Sequence, residues 1–147
     1  MTIDKKWIGF EPPASVLTVD PGRLGLFAEA IGEQNEIYVD ESAAKVNGYA
    51  ALPVPPTFLF AAELDSGVMF GVLDQLGMPR EKALHAEQSF EYLAPVIAGD
   101  VVTVSSRITN VYDRKGGTLE FIERLSEATN QYGTTVVRLR SLLVVKG

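Results

Sequence analysis

The hydrophobic pattern of the first half of the chain is helical. A helix is predicted over 21–31, because Asp20 is a good N-cap, the proline after it suits the first turn, and Gly32 follows the last apolar position of the series. Asp40 is placed to cap a second, short helix over 41–46. The first half is therefore predicted to be mostly helical.

The second half has the composition and alternation of β-strands. Turn residues such as Gly116-Gly117 separate four long runs rich in Val, Thr, Ile, Phe and Leu. The runs are 83–94, 101–112, 118–129 and 134–145. They predict an antiparallel meander, in which strands that follow one another along the chain are neighbours. A further short β-prone run lies at 15–19. Helices followed by a sheet are typical of the α+β class.

One apolar stretch between the two halves is predicted to be the central helix. It opens with Pro55 and Pro56 and runs to about Phe70, apolar on almost every side. Glu63 and Asp65 interrupt it before it is long enough to cross a bilayer, and we predict that they meet solvent or a partner. The other large side chains are predicted mainly to pack the core, with lining of an acyl tunnel as the alternative: Phe58, Leu59, Phe60, Val68, Met69 and Phe70.

Length and composition bound the picture further. The 147 residues are predicted to form a single domain, a sheet wrapped around the apolar helix, and 46% hydrophobic with 22% charged residues is globular rather than disordered. The chain has no cysteine and one histidine, which excludes disulfides, a thiol nucleophile and the commonest zinc sites. We therefore predict no metal and no cofactor.

The charge pattern disfavours nucleic acid as a partner. The net charge is −6, and no basic face accompanies it. Four arginines lie on adjacent predicted strands, and some of them are expected to share an outer face, which is either solvated or a contact for an acidic carrier protein or coenzyme A phosphates: Arg107, Arg124, Arg138 and Arg140. The first residues lack the apolar core of a signal peptide, so the predicted location is the cytoplasm, without membrane attachment.

The order and spacing of several motifs resemble the hot-dog fold of the MaoC-like dehydratase and hydratase family. The similarity is strongest to the non-catalytic, fatty-acid-synthase-like type of domain. The motifs are 30–40, 43–49, Pro55-Pro56-Thr57-Phe58, and 90–96 followed by Ala98-Gly99-Asp100. The resemblance implies a dimer of hot-dog domains that holds an acyl-CoA or acyl-carrier-protein thioester between them.

Catalytic members of that family carry a loop of the form Gly-Asp-x-Asn-Pro-aliphatic-His, whose Asp and His handle water and the α-proton. Laid on this chain, the loop falls on 32–38, and Gly32, Asn35 and Ile37 match. The Asp position holds Glu33, the Pro position Glu36 and the His position Tyr38. Because the phenol of tyrosine has a pKa of about 10, Tyr38 is a poor base near neutrality.

The family's second catalytic element is the start of the central helix, which supplies N–H donors to the thioester oxygen. Here Pro55 and Pro56 remove two of those donors and leave Thr57 and Phe58 as the nearest ones. The resemblance thus implies a set of substrate-binding residues, and three residues remain as catalytic candidates. The binding set is Asn35, Tyr38, Pro56, Thr57 and Phe58, and the catalytic candidates are Glu33, Tyr38 and His85.

His85 lies outside the catalytic loop. We favour a structural interpretation for it, pairing with a carboxylate or backbone group at a sheet or dimer face, over a role at the mouth of the acyl site.

Three functions remain open from the sequence. The first is a subunit that binds an acyl thioester and forms a homodimer, or a heterodimer with a partner carrying the intact Asp and His. The second is an active hydratase using Glu33, or a thioesterase of the same fold. The third is a binding or scaffold protein without an acyl pocket. The sequence does not specify the acyl chain length or the choice between coenzyme A and carrier protein.

Overall fold

The computed structural model describes residues 2–147, in which helices precede a five-stranded sheet. The α-helices are α1 Pro21–Ala30, α2 Glu41–Val46, α3 Phe60–Ser66 and α4 Val68–Gln75. The strands are β1 Ser15–Thr18, β2 Ala83–Tyr92, β3 Val101–Arg114, β4 Leu119–Thr129 and β5 Thr135–Lys146. The predicted α+β class and the four long strands are confirmed.

The sheet is antiparallel throughout, with the strand order β1-β3-β4-β5-β2. Strands β3, β4 and β5 form the predicted meander, but β2 pairs with β5 and not with β3, so the prediction was wrong for this strand. The chain leaves the sheet after Tyr92, where the amides of Leu93 and Ala94 both donate to the Val136 carbonyl. Because β2 is the last strand in this order and pairs with β5 alone, it is an edge strand, and its outer side has no partner within residues 2–147.

The two predicted helix starts in the first half are confirmed with their caps. The Asp20 side chain accepts a hydrogen bond from the Arg23 amide at 2.9 Å, and Asp40 does the same for the Ser42 amide. Each carboxylate satisfies an N–H group that the first helical turn leaves without a partner.

The central helix differs from the prediction at its start. Helix α3 begins at Phe60 rather than at the proline pair, because Pro53 first forms a β-bridge with Ile97 and the Val54 amide donates to the Val96 carbonyl. The chain then turns before the helix can begin. Gly67, with φ of 71°, separates α3 from α4, so the apolar stretch forms two short helices. No helix of residues 2–147 is long and apolar enough to span a bilayer.

The apolar side chains of the central stretch divide between core and surface. Phe58, Leu59 and Val68 are buried as predicted. Phe70 is 47% exposed, and the Arg80 guanidinium lies 5.1 Å from its ring centroid. The prediction of a core position was therefore wrong for Phe70, which lies on the outer side of α4 and is covered in part by an arginine.

Two charged residues expected at the surface are buried. Glu63 is 3% exposed, and its carboxylate is bonded to the guanidinium of Arg124, which is fully buried on the sheet face towards α3. The surface positions predicted for Glu63 and Arg124 were therefore wrong. Arg124 lies on the inward face of β4, where the carboxylate of Glu63 neutralises its charge. Asp65, two residues further on, is exposed and paired with Arg23.

Candidate functional site

An open cavity of about 380 Å³ lies where the edge strand β2 ends. Its walls come from the turn before α2, the segment before α3 and the chain that follows β2. They are formed by Tyr38, Tyr49, Pro53, Val54, Pro56, Tyr92, Leu93, Ala94, Pro95 and Val96. Of the predicted binding residues, Tyr38 and Pro56 line this cavity.

Tyr92 joins the two sides of the cavity. Its hydroxyl donates a hydrogen bond to the Pro56 carbonyl oxygen at 2.8 Å. Burial raises the pKa of Tyr92 far above its ordinary value, and the neighbouring Tyr38 adds to the shift. The phenol is therefore neutral at physiological pH and acts as a fixed donor.

Tyr38 lies in the short 3₁₀ turn Glu36–Tyr38 and is partly buried. Burial raises the pKa of its phenol, and the negative charge of Glu33 raises it further. The proton thus stays on the oxygen, which can donate or accept a hydrogen bond. A group held in this form does not serve as a general base near pH 7.

The carboxylate of Glu33 is used within its own loop. Its Oε1 accepts from the Asn35 amide at 3.0 Å, and the Asn35 side chain in turn accepts from the Ile37 amide at 3.2 Å. These bonds shape the loop that presents Tyr38. Neither Glu33 nor Asn35 lines the cavity.

The predicted amide donors behave differently from one another. The Phe58 amide donates to the Pro55 carbonyl at 2.9 Å, so the expectation of a free donor at Phe58 was wrong. The Phe58 ring is buried and packs edge-on against Phe27. Thr57 is exposed, and its amide donates to no backbone oxygen of residues 2–147.

His85 is not part of this cavity. It lies near the opposite end of β2, seven residues from Tyr92, a separation of roughly 20 Å along a strand. Its ring packs on Phe60 with centroids 4.8 Å apart, and Nε2 lies 2.9 Å from the Glu87 carbonyl oxygen. The part of the chain that the structure describes contains no cluster of three or more His, Asp or Glu able to hold a metal ion.

The remaining predicted arginines lie on the sheet face away from α3. Arg107, Arg138 and Arg140 line a wider, open depression of about 730 Å³. Arg140 pairs with both Glu87 and Glu123. These pairs leave the face mixed in charge.

Sequence reasoning did not assign a role to Tyr49 or Tyr92. Tyr92 stands in the quoted 90–96 motif, and its alternation with Phe90 places it on the inward face of β2. That alternation was the available signal. Its contact with Pro56 joins positions 36 residues apart, which no local pattern reveals.

A curled antiparallel sheet around a short apolar helix is the architecture of a hot-dog domain. The sequence model of the family described as "FAS1-like, dehydratase domain region" matches residues 6–139. The chain therefore belongs to that family.

Known proteins agree with this assignment. A UPF0336 protein of Streptomyces avermitilis is 33% identical over 147 residues, covering 99% of this chain and 97% of the relative. Three solved structures, all below 25% identity, share the fold.

The first is the HadBC (3R-hydroxyacyl-ACP dehydratase) complex of Mycobacterium tuberculosis, with TM-score 0.83, 23% identity, and 98% and 99% of the two chains covered. The second is a MaoC-like dehydratase, with TM-score 0.81, 20% identity, and 95% and 42% covered. The third is the ChsH1-ChsH2 complex of Mycobacterium tuberculosis, with TM-score 0.68, 23% identity, and 95% and 98% covered.

Proposed function

We propose that this chain is the substrate-binding, non-catalytic subunit of a hot-dog hydratase or dehydratase acting on (3R)-hydroxyacyl or 2-enoyl thioesters. The acyl thioester, carried by coenzyme A or by a carrier protein, enters the cavity between Tyr38 and Tyr92. The apolar walls contributed by Val54, Pro56 and Leu93 suit a hydrocarbon chain, and the Tyr38 phenol orients the polar end of the ligand, since the Tyr92 hydroxyl already donates to Pro56.

The observation that carries the proposal is the state of Tyr38. The position that holds the histidine in catalytic relatives holds a phenol, and burial and Glu33 raise the pKa of that phenol. Removal of the α-proton needs a group that accepts a proton near neutral pH. Tyr38 instead offers a hydrogen bond to the bound thioester.

An active enzyme that uses Glu33 is the less favoured alternative. A catalytic carboxylate needs to face the substrate, whereas Glu33 caps the amide of Asn35 and does not line the cavity. The same geometry weighs against a thioesterase that activates water through Glu33. The scaffold alternative is disfavoured by the open cavity itself.

A second hot-dog subunit supplies the missing catalytic groups in this proposal. Strand β2 presents an unpaired edge among residues 2–147, and Leu84 and Leu93 are 53% and 46% exposed there. Such an edge is usually covered, and a related subunit can pair with it. Two of the similar solved structures are complexes of two different chains, which supports a heterodimer over a homodimer.

The test is an assay of the purified chain alone and together with a co-expressed hot-dog subunit that carries the Asp and His loop. We expect no hydration of crotonyl-CoA by the chain alone, and activity that needs both subunits. We also expect the chain to form a complex with that subunit in size-exclusion chromatography. Turnover by the chain alone at the rate of the complex would refute the proposal.

A further inference from the structure

A row of polar side chains crosses the inward face of the sheet beneath α3. Gln88 of β2 pairs directly with Ser141 of β5, and Ser141 pairs directly with Arg124 of β4. Residues directly opposite in an antiparallel sheet lie on the same face with Cβ atoms roughly 5 Å apart. The three side chains therefore form one row, which we call the polar row.

The polar row divides the hydrophobic core in two. On β5 it lies between Leu139, which belongs to the core around α1 and the segment before α3, and Leu143, which belongs to the core around α4. On β4 the same division separates Ala128 from Ile122. Polar groups in such a position need hydrogen-bond partners, because they are shielded from bulk water.

Three atoms of the polar row have no such partner in the part of the chain described. They are Gln88 Oε1, Arg124 Nε and Ser141 Oγ, all buried. Arg124 is fully buried and Ser141 is 3% exposed. A fourth unpartnered atom, Glu120 Oε1, lies on β4 beyond Ile122 and does not belong to the row.

The three unpartnered atoms do not call for a charged ligand. The charge of Arg124 is already balanced by Glu63, and Ser126 donates to the same carboxylate. What remains is one N–H donor on Arg124, one carbonyl acceptor on Gln88, and a serine hydroxyl that serves either way. A single water molecule donates two hydrogen bonds and accepts two, so its hydrogen-bonding capacity matches these three groups, whereas an ion would add a charge without a counter-charge.

We propose that the polar row is a binding site for one buried water molecule, which bridges β2, β5 and β4 under α3. This water completes the hydrogen bonds of Arg124 and so holds the Glu63–Arg124 pair in place. The site is independent of the acyl-thioester function and is expected in the free protein.

The test compares Ser141→Val with Ser105→Val by magnetic relaxation dispersion of water, which counts long-lived internal water molecules in solution. Valine at position 141 removes the hydroxyl and fills its space, whereas Ser105 lies exposed on the opposite face of the sheet. We expect Ser141→Val to hold one long-lived water fewer than the wild-type protein and Ser105→Val to hold the same number. An unchanged number in Ser141→Val overturns the proposal.

A crystal structure of the wild-type protein tests the site without any variant. The expected result is an ordered solvent peak within hydrogen-bond distance of Gln88 Oε1, Arg124 Nε and Ser141 Oγ. Direct bonds among these side chains with no peak between them overturn the proposal, even where Ser141→Val does not fold.

Discussion

Glu63 on α3 and Arg124 on β4 form an ion pair in the middle of the protein, where 4% and 0% of their side chains are exposed. Ser126 donates to the other carboxylate oxygen at 3.2 Å, and Arg124 also donates to the Ser106 hydroxyl. The pair links the central helix to the middle of the sheet. Its energetic role follows from its burial, because removing either partner leaves an uncompensated charge in the core.

Glu63→Gln is expected to destabilise the protein by about 3–5 kcal/mol, since the amide removes the negative charge while Arg124 stays buried. The measurement is the free energy of unfolding in urea. The matched control is Asp65→Asn on the same helix, which breaks the exposed pair with Arg23 and should cost about 0–1 kcal/mol. Equal losses in the two variants would contradict the burial argument.

Gly67→Ala is expected to destabilise the junction between α3 and α4 by about 1–2 kcal/mol, because Gly67 has φ of 71° and a side chain is strained in that region. Gly71→Ala, within α4 and with open space around the added methyl group, is expected to stabilise by about 0.5–1 kcal/mol. Thermal unfolding of both variants checks the prediction. A stabilised Gly67→Ala would mean that the two helices do not need this turn.

Tyr92→Phe is expected to lower stability by about 1 kcal/mol, because the Pro56 carbonyl oxygen loses its hydrogen bond. It should also weaken binding of an acyl thioester, since the Pro56 side of the cavity is no longer tied to β2. Urea unfolding and isothermal titration calorimetry measure the two effects. Tyr132→Phe, at an 82% exposed position, serves as the control and should change neither.

The raised pKa of Tyr92 predicts a loss of stability at alkaline pH. In the unfolded chain the phenol ionises near its ordinary pKa of 10.0, whereas burial keeps it protonated in the folded protein. Above pH 10 the folded protein then binds more protons than the unfolded chain, so the contribution of Tyr92 to stability is constant below pH 10 and falls as the pH rises above it. Tyr92→Phe should show a shallower fall above pH 10 in urea titrations, and an unchanged slope would count against the buried phenol.

Glu33→Gln is expected to change the rate of the complex with a catalytic hot-dog subunit by less than about twofold, whereas loss of a general base slows a reaction by about 10²–10⁴-fold. Steady-state kinetics of the reconstituted complex makes the comparison. Tyr38→Phe in the same complex should raise KM with little effect on kcat, because a hydrogen bond to bound thioester is lost. A large drop in kcat for Glu33→Gln would restore the active-enzyme alternative.

Local patterns determined much of what was predicted correctly. The caps Asp20 and Asp40 and the alternation of the long strands depend on residues within a few positions of one another, so the sequence alone reveals them. The identities of Glu33 and Tyr38 in the 32–38 loop are also read directly from the order of residues, whereas the equivalence of this loop to the family's catalytic loop stays a prediction.

Only the tertiary structure decided where the central helix begins, which charges are buried and how the two sides of the cavity are joined. Helix α3 starts late because Pro53 first pairs with Ile97. Glu63 and Arg124 meet across 61 positions of the chain, and Tyr92 reaches Pro56 across 36. The local sequence around Glu63 or Tyr92 does not indicate these partners, because the curl of the sheet around α3 brings such distant positions together.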